Sequence, residues 1–389
     1  MRIFFYQWEA FMQKDMEIAL RNMGIDFTVY RYPFKEKNDP AHLKSEVKKQ
    51  LSNSGFDAVL SFNYREELAV CAYEAKIPYM AWIVDSPFGV TQDEEILRLP
   101  TNHIFIFDRY DYDKLVKRGI KTVYHHMLAV NVPRLDELML SAEDHGRFDA
   151  DIAFVGSMYP STFPGFRSRI TEEEATFVEN VIASQMKVQG QYLLDELTDD
   201  DDMLKNLQIT LEGEYHGYDR LFHEGLQSIL AKETTRRDRL VLVSLLSEYY
   251  DVALYSNRSE PMITQASERG IVESFEELFK VYKATKINLC IGYRRIASGI
   301  PLRALEVMGA GGFLLSNRQP EIEENFTDGA DCVMYDSIED AFSKVQYYLE
   351  HEKERQEIAA NGHEKAKEFT YEKQFQKMLD IVFNSCQAG

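Results

Sequence analysis

The sequence is poor in the features that mark several large protein classes. Its 389 residues hold four cysteines, Cys71, Cys290, Cys332 and Cys386, with no CxxC pair. Such spacing argues against a disulfide framework or a zinc site and points to free thiols in a reducing compartment. No run approaches the roughly 18 apolar residues that span a bilayer. The opening Met1–Tyr6 stretch reads as a strand, too short and too soon polar for a signal peptide. Positive charge is scarce: 44 Lys and Arg against 64 Asp and Glu give a net charge of -20. That balance disfavours nucleic acid or an anionic membrane as a partner held by bulk electrostatics. The expected location is cytoplasmic. The loop Gln7-Trp8-Glu9-Ala10 after the first strand has no glycine, so the GxGxxG dinucleotide fingerprint is missing from its usual place. There is no GxSxG elbow, no GxxxxGK[ST] loop, no internal repeat and no low-complexity segment.

The composition that remains is ordinary for a globular protein, 45% apolar and 28% charged, and the length suits two domains with separate cores. Strand-like runs alternate with helical patterns from the start. Strands are expected at 2–6, 27–30, 57–62, 77–84, 103–107 and 122–124, with helices between them at 11–23, 40–52, 65–75 and 110–118. Alternation of this kind implies a parallel sheet with right-handed crossovers. The first Rossmann-like domain is expected to end at residue 148 and the second to cover 149–370. Residues 160–248 differ: their apolar stripes, such as Phe177/Val178/Val181/Ile182, Met203/Leu204/Leu207/Leu211 and Leu240/Val243/Leu246, read as a helical insertion in the second domain. This insertion is the candidate for acceptor recognition or for a homodimer contact. The acidic run Asp199–Asp202 lacks EF-hand spacing and reads as a solvated loop. Alternation resumes at Val252, and the chain closes on helices near 338–350, 352–367 and 371–384.

One stretch organises the rest. In residues 286–317, Ile287, Leu289 and Ile291 alternate as in a strand. A polar loop follows, Pro301 opens a short helix, and Gly309, Gly311 and Gly312 end it and turn the chain into Phe313-Leu314-Leu315. The helix carries Arg303 and Glu306 three residues apart, hence on one face. A helix N-terminus presents unpaired N–H groups and a partial positive charge, which suits phosphate. Arg303 would add a forked cationic donor, and Glu306 would accept from a pair of sugar hydroxyls. The plain alternative is an Arg–Glu pair on a solvated face, and the spacing alone leaves both open.

The segment Ser298-Gly-Ile-Pro-Leu-Arg303-Ala-Leu-Glu306-Val-Met-Gly-Ala-Gly-Gly312, with Pro320-Glu321, Gly329 and the strand end Val333–Asp336, resembles the C-terminal signature of GT-B glycosyltransferases. The likeness is closest to the spore-maturation, CgeB-like group, with its Arg-x-x-Glu pattern followed by a small residue and Gly-Gly and with its unnamed N-terminal domain. Asp151-Ile-Ala-Phe-Val-Gly156-Ser157-Met-Tyr159 is similar to the strand and loop that open the family's second domain. Trp82-Ile-Val-Asp85-Ser-Pro87-Phe88 resembles a strand end in its first. The resemblance implies an α/β GT-B fold with two Rossmann-like domains facing a cleft, and a C-terminal segment at 371–387 that packs back on the first domain. It also implies transfer of a sugar from a nucleotide-sugar donor, expected to be UDP-linked, to a protein, glycan or lipid-linked acceptor, with no required metal or other cofactor. The processes implied are bacterial surface, spore-coat or flagellin-type glycosylation, or polysaccharide assembly.

On that resemblance Arg303 meets the leaving diphosphate, with Arg294 or Arg295 in support, and Glu306 meets the ribose. Gly156, Ser157, Asn257, Ser298 and Gly299 are further candidates for the donor site. Asp85, at a strand end, is the candidate general base or acceptor contact; a turn-forming Asx residue before proline is the plain alternative. His125-His126 lie at another strand end without a ligand-spaced partner. Many retaining relatives carry two glutamates here, the second corresponding to Glu306; Ser298 stands at the position of the first. That departure, with the glycine-free first loop, keeps a non-catalytic binding or assembly protein in view, and a nucleotide-sugar epimerase behind it.

Overall fold

The computed structural model describes residues 1–8, 12–32, 40–88, 93–193, 202, 207, 225–272 and 274–384. Glu9–Phe11, Asp199–Asp201, Met203, Leu204, Leu211 and Cys386 lie outside them. Contacts divide the chain into two units, Met1–Pro133 with Ala366–Gly389, and Arg134–Lys365. This division falls ahead of residue 148, so the short helix Ala142–Phe148 groups with the second unit.

The first unit is built on six strands: β1 (Arg2–Gln7), β2 (Asp26–Arg31), β3 (Ala58–Phe62), β4 (Tyr79–Ile83), β5 (Asn102–Ile106) and β6 (Val123–His125). They pair in parallel in the order β2-β1-β3-β4-β5-β6. Strands β3 and β4 are buried along their full length, as parallel strands covered on both faces must be. The core takes aromatic residues from both ends of the segment order: Phe4, Tyr6, Phe56, Tyr64 and Tyr79 pack with Val47, Leu68 and Ile104. Chain order changes direction between β1 and β3.

Residues after 365 complete this unit. The helix Tyr371–Leu379 packs against the helix Met12–Asn22, and Asn22 donates to Glu372 at 3.0 Å. Tyr371 sets its ring edge-on to Trp82, centroids 5.9 Å apart, and the Val130 amide donates to the Phe369 carbonyl. Only the first nine residues of the closing segment are α-helical; Asp380–Asn384 form a π turn.

The second unit carries β7 (Ile152–Val155), β8 (Val252–Tyr255), β9 (Ser267–Gly270), β10 (Ile287–Cys290), β11 (Leu314–Asn317) and β12 (Val333–Tyr335). All pair in parallel, in the order β12-β11-β10-β7-β8-β9. Here the order reverses between β7 and β10. Between β7 and β8 the described chain is helical, over Phe163–Arg167, Glu172–Lys187 and Leu226–Ser247. The second of these has a Thr171/Glu174 capping box, which satisfies two orphan amides at its start. Strand β9 is exposed and polar, so it carries no apolar period to read in the sequence. The described cysteines, Cys71, Cys290 and Cys332, are free and buried. No helix among the described residues is long and apolar enough to cross a membrane.

Candidate functional site

In open parallel sheets, ligands bind outside the strand carboxyl ends where the chain order reverses. In the second unit that point lies between β7 and β10. The loop after β7 begins at Gly156-Ser157 and the loop after β10 at Ile291-Gly292. Gly156 must be small, because a Cβ there would come within 2.9 Å of the Phe154 ring. A Cβ at Gly292 would sit 3.0 Å from Asn317 Oδ1, which accepts the Gly292 amide at 2.8 Å. Backbone is therefore bare at both strand ends.

Arg239, on the long helix Leu226–Ser247, holds the two loops together. Its guanidinium donates from Nε and Nη2 to the Ile291 carbonyl, at 3.1 and 2.8 Å, and from Nη1 to the Ser157 carbonyl at 2.5 Å. The same group lies over the Phe154 and Tyr159 rings, 5.3 and 5.0 Å from their centroids. Arg239 is buried, and burial pulls its pKa down while the Tyr159 side chain holds it up. Sequence reading did not find this residue. It falls in Arg236-Arg237-Asp238-Arg239, which looks like a solvated helical charge run, and its partners are carbonyl oxygens far away in the chain.

The helix Leu302–Gly309 leaves the β10 loop. Pro301 is its N-cap rather than its first helical residue, and no side chain caps the helix start. Gly311 adopts φ +78°, and the Gly312 amide closes back on the Val307 carbonyl. Gly312 has no room for a Cβ, which would meet the Tyr282 carbonyl at 2.7 Å.

Arg303 and Glu306 do share a face: Arg303 Nη1 donates to Glu306 Oε2 at 2.9 Å and also to the Tyr282 hydroxyl. Both bonds use Nη1; Nε and Nη2 donate to no protein group among the described residues. Burial acts against the Arg303 charge, but the Tyr282 and Glu306 side chains outweigh it and raise its pKa. Tyr282 itself is pushed up by burial. Glu306 is buried. The Cys290 thiol, at the end of β10 and raised by burial, feels Arg303, Arg239 and Glu306 together. Arg239 alone bonds directly at this strand end, through the Ile291 carbonyl.

Other sequence candidates fall differently. Arg294 is held inside the protein: Nε meets Asp238 Oδ2 at 2.5 Å, and Nη1 donates to the Val188 carbonyl and Gln189 Oε1. Burial pushes the Asp238 carboxyl up, against the pull of Arg294. Arg294 thus ties the β10 loop to two helices. Arg295 is buried, with its guanidinium 4.9 Å from the centre of the Tyr192 ring. The Ser298 hydroxyl donates to Glu321 Oε1 at 2.9 Å, and the Glu321 amide donates to the Ser298 carbonyl. A buried carboxylate therefore does stand beside Ser298, supplied by the helix Pro320–Asn325. Gly299 is buried and Asn257 exposed.

Asp85 belongs to the first unit. It is exposed and accepts from Asn63 Nδ2 at 2.6 Å, while Asn63 Oδ1 accepts the Val84 and Asp85 amides. Asn63 holds φ +56°. His126 is buried edge-on between Trp82 and Phe105. Burial, followed by the charge of Lys377, lowers its pKa to about 3. Trp8 spans the first unit's own reversal point, donating its indole N–H to the Phe62 carbonyl at 2.9 Å.

No group of three or more His, Cys, Asp or Glu suited to a metal ion occurs among the described residues. A groove of about 620 Å³, lined by Asp151, Asp251, Lys286, Phe313 and Arg355 among others, lies at the amino-terminal edge of the second sheet, the end opposite the bare glycines.

Solved structures match this architecture over its whole length. HepE of Anabaena, in complex with UDP, is 10% identical, with 98% of this chain and 99% of that one covered and a TM-score of 0.53. A glycosyltransferase from Rickettsia africae is 9% identical, with 100% and 99% covered and a TM-score of 0.59. Sucrose-phosphate synthase from Thermosynechococcus elongatus is 9% identical, with 100% of each chain covered and a TM-score of 0.56. The fold is GT-B. A family model described as glycosyl transferase-like matches residues 236–380, a span that covers the later part of the second unit, with Arg239, Arg303 and Glu306, and runs into the closing segment of the first. No curated protein matches the sequence.

Proposed function

We propose that the protein is a glycosyltransferase that moves a sugar from a UDP-linked donor to a protein, glycan or lipid-linked acceptor without needing a metal. One observation carries this reading: Arg239 bonds the Ile291 carbonyl just past β10, and the paired Arg303 and Glu306 lie on the helix that leaves the same loop, whose start no side chain caps. The glycosyl transferase-like match over the same residues supports it, as does HepE, a distant neighbour of the same fold that was solved with UDP.

In this reading the diphosphate lies at the start of the Leu302–Gly309 helix. The backbone amides and the Nε and Nη2 groups of Arg303 oppose the charge that grows on the leaving group. Glu306 accepts from the ribose hydroxyls, and its pairing with Arg303 fixes the orientation of both side chains. Asp85, on the first unit, is the candidate to take the acceptor proton. The Arg303–Gly312 pattern supports placement in the CgeB-like group, and the free described cysteines support a cytoplasmic setting.

A thermal-shift series with UDP, UDP-glucose, GDP and ADP, followed by assay for hydrolysis or transfer, tests the reading. A ligand at about 100 times its Kd stabilises by about 2.7 kcal/mol, so a selective uridine shift is expected. Glu306→Gln should then lose about 1–3 kcal/mol of nucleotide affinity. A folded protein that no nucleotide stabilises would sink the proposal. Binding without turnover of any nucleotide sugar would favour a non-catalytic binding protein, a reading supported by the protein contacts that already occupy Arg303 Nη1.

A further inference from the structure

Two tyrosines frame the reversal point of the second sheet. Tyr159 comes from the loop after β7 and Tyr293 from the loop after β10, and their ring centroids lie 5.4 Å apart. Both are half-buried. Tyr159 holds φ +41°, a conformation that opposes a bulky side chain and is uncommon outside glycine and asparagine. Three contacts keep it there. Its amide donates to Ser157 Oγ at 3.1 Å, the Arg239 guanidinium lies against its ring, and Arg239 also clamps the carbonyls of Ser157 and Ile291. Strained residues held by several contacts cluster at ligand sites.

The order of groups in a nucleotide sugar says which part would meet this pair: base, ribose, diphosphate, sugar. On the reading above, the ribose is at Glu306 and the diphosphate at the helix start one turn before it. The next group along is the sugar, which then lies toward the β10 loop and its neighbour after β7. An aromatic face packs well against the C–H face of a pyranose.

We infer that Tyr159 and Tyr293 form a platform for the donor's sugar ring, and that the Arg239-clamped left-handed turn at Tyr159 aims it. This rests on the donor reading above.

The test is calorimetric titration of UDP and UDP-glucose into the wild type, Tyr159→Gly, Tyr159→Phe and Tyr293→Ala. Glycine accepts the left-handed turn without strain, so Tyr159→Gly removes the ring while favouring the backbone. Tyr293→Ala provides an independent loss of ring should that variant fold poorly. The expected result is a loss of about tenfold in UDP-glucose affinity in Tyr159→Gly and Tyr293→Ala, with UDP affinity within twofold of wild type and Tyr159→Phe close to wild type for both. Equal losses for UDP and UDP-glucose would overturn the sugar assignment. Unchanged binding of both ligands in the ring-deleted variants would overturn the platform while leaving the donor site standing. A wild type that binds neither ligand would overturn the donor reading and the platform with it.

Discussion

The two sheets solve the same topological problem with opposite chemistry. Each has six parallel strands and a place where chain order reverses. In the first, Trp8 lays its indole across that place and donates to the Phe62 carbonyl. In the second, Gly156 and Gly292 leave the strand ends bare, and a buried arginine ties them from the helix behind. A bulky aromatic bridges one reversal point; at the other, two glycines leave the backbone bare and a buried cation joins the loops. Under the proposed function, that difference favours the second unit as the donor side.

The contrast can be broken hardest at Arg239. Arg239→Met keeps the bulk of the side chain but deprives the Ile291 and Ser157 carbonyls of their donor. Unsatisfied buried groups cost about 1–3 kcal/mol each, so a total of about 2–6 kcal/mol is expected in denaturant unfolding, together with weaker UDP binding. A variant as stable as wild type would remove Arg239 as the clamp. In the first unit the comparable lever is His126. Its folded pKa of about 3 lies below the ordinary value of about 6.5, so between these values the unfolded chain binds the proton and the folded chain does not. Stability is therefore complete above about pH 6.5 and falls as pH drops toward 3. The loss from this residue is about 2 kcal/mol at pH 5, and His126→Phe should flatten that slope when unfolding is compared at pH 8 and pH 5. The smallest effect belongs to Trp8. Trp8→Phe should cost about 1 kcal/mol through the lost hydrogen bond and leave UDP affinity within twofold. A fall in UDP affinity to match that of Glu306→Gln would erase the contrast between the two reversal points.

Most of the architecture was legible because parallel strands buried on both faces read as apolar runs, and some of the helices between them end beside glycines such as Gly24, Gly119 and Gly311. Strand β9, with Ser267, Glu268 and Arg269 on an edge, gave no such signal. At the site, the Arg303–Glu306 pair could be read because its partners are neighbours on one helix. Arg239 could not, since it bonds carbonyls contributed by distant loops and any residue supplies a carbonyl. Arg294 shows the converse. Its place in the loop after a central strand resembled a ligand contact, whereas its guanidinium is consumed by Asp238, Val188 and Gln189. A basic loop in sequence does not reveal which arginine the fold has already neutralised.

The first unit is made from the two outer parts of the described chain, with residues 134–365 between them. On a ribosome adding about 5–20 residues per second, Phe369, Tyr371 and Glu372 emerge on the order of ten to fifty seconds after Pro133. For that interval the surfaces around Trp82, Asn22 and Val130 lack the partners they hold in the finished protein. The second unit has all its own strands before the first can close. The units can thus be completed in the reverse of the order in which they begin, and the nascent first unit waits with those surfaces uncovered.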